Sequence, residues 1–583
     1  MFRRLLATSG AFALVASGAA PALAASTPAT GADVGAVATV APVIAPSARG
    51  ARSGDRDSTG RLVPAAVQRT AVKNAVAATN GIKWTRCGGM QCATLTVPRD
   101  YDNLKAGTVD LDVSRRPADD PDRRIGVLVT NPGGPGVPAA FTTPLFSQVV
   151  GREVRARFDI IGINPRGTTM DQPAMCTGTP GQEMPPIPEG MFPTTPAQAQ
   201  AQLVMDAFNI ALCRKENPPI LRHMSTGDSA RDIDAVRAAL GEKSINFYGV
   251  SYGSQLGATY SQLFGSRVRT MVVDGTLDPV AWTGGRRGEG ATTPVTTRLG
   301  SHIGAQQALM SAIAECERVG PRYCAEYKTI RQDWADLQKL ADKPIEIGEG
   351  WSLTWDMVVS MVISGLYDYE GVPDVLAMIH QIKLVAEAGP NPPQPAQARA
   401  QAAYTKVLKR DQVNRKKRLA YDPPVVPTPD EEQPTPLYFA SFTGVICDDA
   451  VQPKNPQAWV KAAADADRVA PGFGSLWTWS SSICATWPFH SPGALRGAFD
   501  KPAAGGMPIL NTTNDPATPY AGALAARRTR SDARLITVPG WGHAVLDTSG
   551  CASAIRNRYL ISGTLPAIDQ QCSQDHKLFS ALD

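Results

Sequence analysis

Gly249-Val250-Ser251-Tyr252-Gly253 is the one G-x-S-x-G pattern in the chain, and a serine framed this way can act as a nucleophile. The spacing alone says little. Its context says more: a β-rich run, residues 245–250, precedes it, and residues 255–264 have helical spacing. A serine on such a strand-to-helix turn sits in a strained backbone position, and the flanking glycines leave room for the turn and for a substrate. The following helix aims its first N–H groups at charge developing on a reacting carbonyl. Such a serine needs a base and an acid. His543, in Gly540-Trp541-Gly542-His543, follows the strand-like run 535–538, and Asp515, in Asp515-Pro516-Ala517-Thr518-Pro519, follows the run 508–512. The chain order is serine, acid, base. Nε2 of His543 would take the Ser251 proton and pass it to the leaving group, while Asp515 would hold Nδ1–H and stabilise the imidazolium. The other histidines, His223, His302, His380, His490 and His576, lack this strand-end, glycine-flanked setting. An oxyanion hole needs an N–H from the residue after the nucleophile, Tyr252, and one from a glycine loop. The loop is Asn131-Pro132-Gly133-Gly134-Pro135-Gly136, so the second donor is Gly133 or Gly134.

These residues need a frame that brings strand ends together. Short apolar runs at 93–97, 108–113, 125–130, 158–163, 245–250 and 270–273 alternate with helical patterns at 229–240 and 255–264. Strands interleaved with helices predict an α/β fold, a mostly parallel sheet covered by helices on both faces. Between residues 281 and 490 the rhythm is mainly helical, and strand-like runs return at 508–512 and 535–538. The chain therefore divides into a signal peptide (1–24), a disordered leader or pro-segment (25–75), a first core part (76–280), a helical cap insertion (281–490) and a second core part (491–583). A basic stretch, Lys406 to Arg418, reads as a solvated helix face.

Arg3 and Arg4, an apolar run and Ala22-Leu23-Ala24 predict export and cleavage before Ala25. No cysteine stands at that point to carry a lipid, and no membrane anchor is expected once the signal is removed. Residues 25–70 are rich in Ala, Gly, Ser, Thr and Pro and cannot bury a core. The ten cysteines fall in local pairs, Cys87 with Cys92, Cys176 with Cys213, Cys316 with Cys324, Cys447 with Cys484 and Cys551 with Cys572. Sequential disulfides are the simplest reading in an oxidising compartment, although spacing alone leaves the connectivity open. C-x-x-C pairs are missing, which argues against zinc. The glycine loop lacks the Lys-Ser/Thr of a phosphate loop and the spacing of a dinucleotide fingerprint, so no cofactor is expected. The 583 residues carry a net charge of only +5. Residues 1–70 hold seven arginines and three acids and so supply +4 of it. Nucleic acid is accordingly no expected partner.

In combination the motifs resemble the secreted tripeptidyl aminopeptidases of actinobacteria, relatives of prolyl aminopeptidase within the α/β-hydrolases. The resemblance covers roughly residues 80–580. It rests on the glycine loop, Asn164-Pro165-Arg166-Gly167, Ser225-Thr226, the segment Tyr248 to Gly257, Asp274-Gly275 with Asp278-Pro279, Cys447-Asp448-Asp449, and the stretches around Asp515 and His543. It implies an α/β-hydrolase with a helical cap, monomeric and extracellular, that releases short peptides from free N-termini of peptides or proteins through an acyl-enzyme on Ser251. An exopeptidase must neutralise the substrate ammonium, and Asp448 and Asp449 are the candidates for that anchor. Two departures stand out. Asn164 occupies a position where such relatives usually have Asp, and Val137-Pro138-Ala139-Ala140 follows the loop where they tend to have Gly and Ser. A secreted esterase or lipase-type acyl hydrolase with the same three residues is the alternative.

Overall fold

The computed structural model describes residues 81–169, 173–340, 343–348, 351–389, 392–419 and 435–579. The expected signal peptide and the whole of the leader or pro-segment lie outside them. The strands, in chain order, begin with β1 (Thr85–Cys87), β2 (Met90–Pro98), β3 (Thr108–Arg116), β4 (Gly126–Asn131) and β5 (Phe158–Ile163). Next come β6 (Met175–Thr177), β7 (Ile245–Val250), β8 (Val268–Asp274), β9 (Ile345–Gly348), β10 (Trp351–Leu353) and β11 (Leu437–Phe439). The last are β12 (Met507–Asn514), β13 (Ala533–Trp541) and β14 (Gln570–Gln571).

One sheet holds ten of these, in the order β1-β2-β3-β5-β4-β7-β8-β12-β13-β14. β1, β2, β3 and β5 pair antiparallel in turn; every pairing from β5 to β14 is parallel. Alternate residues of the central strands feed two apolar clusters. Val129, Ile161 and Phe247 face one, and Leu128, Ile160 and Tyr248 face the other. Both faces are covered, which is why these strands read as unbroken apolar runs.

A separate core holds the cap. Leu309, Ile313, Trp334, Val362, Ile379, Val407 and Phe473 share it. In the helix Val372–Glu387, the buried Val372, Val375, Leu376, Ile379 and Ile382 recur at three- and four-residue spacing, one stripe of a helical surface. The insertion expected over 281–490 is divided between two cores. Tyr438, Ile446, Trp459 and Trp479 pack into the main sheet's cluster instead. β11 pairs with β6, and β9 with β10, so this region also carries strands that the helical rhythm hid. Within the basic stretch, Lys406 and Arg410 pair with Asp374 on the neighbouring cap helix.

The ten cysteines form five bridges, Cys87–Cys92, Cys176–Cys213, Cys316–Cys324, Cys447–Cys484 and Cys551–Cys572.

Candidate active site

β7, β8, β12 and β13 lie side by side and parallel, so the segments leaving them emerge at one edge of the sheet. Ser251 follows β7, Asp515 follows β12, and His543 follows β13. Ser251 has φ 58° and ψ −125°, a left-handed turn that a side chain adopts only under constraint. The helix Tyr252–Phe264 starts directly after it. The motif glycines are required by contact: a Cβ on Gly249 would stand 2.2 Å from the Gly253 carbonyl oxygen. A Cβ on Gly133 would stand 2.8 Å from Ser251 Cβ, so the glycine loop touches the nucleophile's turn only because that side chain is missing.

His543 Nδ1 lies 2.9 Å and 3.0 Å from the two carboxylate oxygens of Asp515. An ionised carboxylate only accepts, so Nδ1 carries a proton, and in the neutral imidazole Nε2 is the basic nitrogen. Asp515 also accepts from the amides of Ala517, Thr518 and Ala544. It is thus at once a turn aspartate and the partner of the histidine. Burial works to raise its pKa; the imidazole and these amides outweigh burial and hold it below the ordinary carboxylate value.

The Gly133 N–H donates to Asn131 Oδ1 at 3.0 Å. That commits one of the two expected loop donors and passes the candidate role to Gly134. Asn164, in place of an aspartate, accepts from Ala140 N and donates to Asp112, which ties down the segment after the glycine loop. Arg166 is buried with Asp232 in a two-pronged pair at 2.6 Å and 2.8 Å.

Asp448 and Asp449 are both 1% exposed. Asp449 accepts from Thr226 N, Thr226 Oγ1 and Trp282 Nε1, and the Thr226 hydroxyl also lies 2.6 Å from Tyr252 Oη. Asp448 takes longer bonds from Met224 N and Trp487 Nε1. Burial raises the pKa of both carboxyls, that of Asp449 to about 6. These carboxylates brace the start of the helix Thr226–Ala239. The structure gives them protein donors where an ammonium anchor was expected.

Two residues that spacing did not single out join the site. Tyr367, at the end of the cap helix Trp355–Leu366, accepts the His543 N–H on its carbonyl at 2.9 Å, and its ring stands edge-on to the imidazole, 4.9 Å between centroids. No sequence signal marks it. Asp274 ends β8 and binds the loop after His543. Its signal was an Asp-Gly pair closing the strand beside the nucleophile's strand. Among the described residues no group of three or more His, Cys, Asp or Glu is arranged to hold a metal ion.

The family model described as "alpha/beta hydrolase fold" matches residues 126–287, and that described as "TAP-like protein" matches residues 469–572. Tripeptidyl aminopeptidase of Streptomyces lividans is 28% identical over 543 residues, 90% of each chain. The chain has the α/β-hydrolase fold and is similar over most of its length to tripeptidyl aminopeptidases. Serine protease Hip1 of Mycobacterium tuberculosis is 26% identical over 520 residues, 84% of this hydrolase and 91% of that protein. Carboxylesterase B of the same species is 28% identical over 497 residues, 83% and 86%. The hydrolase is thus an enzyme of the serine-hydrolase type, with serine peptidases among its relatives. Its two matched segments contain Ser251 and both Asp515 and His543.

Proposed function

We propose that this hydrolase is a secreted serine exopeptidase that removes short peptides, tripeptides first among them, from free N-termini. Ser251 attacks the scissile carbonyl, His543 takes its proton through Nε2 and returns it to the departing amine, and Asp515 fixes the imidazole. Tyr252 N–H and Gly134 N–H receive the oxyanion. Water then releases the peptide from Ser251 by the same route. The observation that carries the reading is the Asp515–His543 pair, at the same edge of the parallel sheet as a serine held at positive φ after β7. A cap over that edge would stop longer chains from passing through, as an exopeptidase requires. The carboxylesterase relative keeps one other reading in play, an acyl ester as substrate on the same three residues.

The test uses protein purified from the culture medium. It is given tripeptidyl, single-residue prolyl and short acyl-ester chromogenic substrates in parallel. The tripeptidyl substrate is expected to have the highest kcat/KM, and Ser251→Ala to lose at least about a thousandfold of it while still folding. A higher kcat/KM on the ester selects the second reading. Full activity in Ser251→Ala ends both.

A further inference from the structure

Asp274 is fully buried, and its carboxylate is held by three donors: Val545 N at 2.7 Å, Leu546 N at 2.8 Å and Tyr248 Oη at 2.8 Å. Its own main-chain carbonyl accepts the Ser251 N–H at 2.8 Å. One residue therefore grips the nucleophile's turn with its backbone and the base's loop with its side chain. The Arg556 guanidinium, also fully buried, enters through the Tyr248 hydroxyl at 3.3 Å and holds the Leu546 carbonyl.

The loop needs holding. Ala544 and Leu546 have φ of 66° and 48°, a region disfavoured for residues with a side chain. Each N–H from 543 to 546 has a partner: Tyr367 O, Asp515 Oδ2, Asp274 Oδ1 and Asp274 Oδ2 in turn. Asp274 supplies half of these. Among the described residues no guanidinium or ammonium bonds this carboxylate directly, which makes it a costly way to fill a strand end, and burial raises its pKa against the pull of the amides. Packing alone would be served as well by an apolar side chain.

We infer that Asp274 is a positioning residue that sets the register between Ser251 and His543. It rests on the acyl-enzyme reading above. It acts through other residues and touches no reacting atom. Asn at this position keeps the shape but offers one acceptor oxygen, so the two-amide grip on the loop is lost.

The experiment compares Asp274→Asn, Tyr248→Phe and the double variant Asp274→Asn/Leu546→Gly with the unaltered enzyme, by steady-state kinetics on the best substrate and by the rate of fluorophosphonate labelling. Asp274→Asn is expected to lower kcat and the labelling rate together by about tenfold or more, with KM within about twofold, since small misplacements of a base act on the chemical step. Glycine at 546 accepts the left-handed φ, so the double variant recovers part of that loss. Tyr248→Phe keeps the carboxylate and both amide bonds and lowers kcat about threefold. Unchanged kcat in a folded Asp274→Asn overturns the inference, as does a loss confined to KM. Should Asp274→Asn fail to fold, unchanged kcat in Tyr248→Phe overturns it. Failure of the underlying reading looks different: Ser251→Ala would then keep its activity.

Discussion

The carboxylate of Asp449 has about four acceptor directions, and three protein donors already occupy them in part. Its bond to Thr226 continues to the hydroxyl of Tyr252, whose main-chain N–H is the proposed oxyanion donor. A residue wired in this way should influence every substrate alike. Asp449→Asn turns one oxygen into an NH2 group that faces a donor, and kcat/KM is expected to fall about fivefold or more for a free-amine tripeptide and for an N-blocked ester equally. Kinetics on the two substrates decide it: an ammonium anchor would raise KM for the free amine only. The glycine loop teaches a related point. Asn131 bonding the N–H two residues on is a local Asx turn, a pattern written in the residues Asn131-Pro132-Gly133. Such a turn occupies the Gly133 N–H, which is the reason for proposing Gly134 as the loop donor.

Among elements, β5 and β7 have the bounds expected from sequence, 158–163 and 245–250. Both are buried along their whole length and end at a turn or loop, so their apolar composition delimits them. The short pairs β6 with β11 and β9 with β10 were not legible, because strands of three or four residues carry almost no periodic signal. β6 also pairs with a segment far along the chain. Ser251, Asp515 and His543 could be found because each closes or follows a long apolar run. Tyr367 could not, since only the packing of the cap against β13's exit brings it to the histidine. That contact makes the cap part of the site. The Tyr367 carbonyl anchors the His543 amide, and its ring leans on the imidazole. Tyr367→Ala keeps the main-chain bond and removes the ring, worth about 0.5–1.5 kcal/mol for an aromatic pair. kcat/KM should fall by about threefold to tenfold, measured on the tripeptidyl substrate, with little change in the melting temperature. Unaltered kinetics would mean that the cap end merely rests on the histidine.

Over the whole molecule, buried carboxyls set how stability follows pH. Burial raises Asp206 and Asp449 to about 6 each, against about 3.9 in an unfolded chain. Between those values the native state binds more protons than the unfolded state, so stability falls as pH rises from about 4 to 6. Each group contributes a swing of about 3 kcal/mol. His302 opposes them. Burial lowers it to about 4, so it stays neutral in the fold, and stability falls as pH drops from 6.5 towards 4, again by about 3 kcal/mol. Asp515, held below the ordinary value, matters only at more acid pH. His223 and His490, also lowered by burial, act with His302, while the raised carboxyls of Asp232, Asp274 and Asp448 act with the two acids. Asp206 and Asp449 therefore each raise the melting temperature at pH 5 relative to pH 7, against the histidines. Asp206 offers the cleanest check, because it lies on the helix Pro196–Glu216 and, among the described residues, bonds Ser482 and Gln202 alone. Asp206→Asn cannot ionise and can keep the Ser482 hydroxyl bond, so in this variant the melting temperature at pH 5 should fall relative to that at pH 7, changing the separation between the two. If their separation is the same as in the unaltered enzyme, Asp206 does not titrate in this window and the charge it hides is offset by a neighbour.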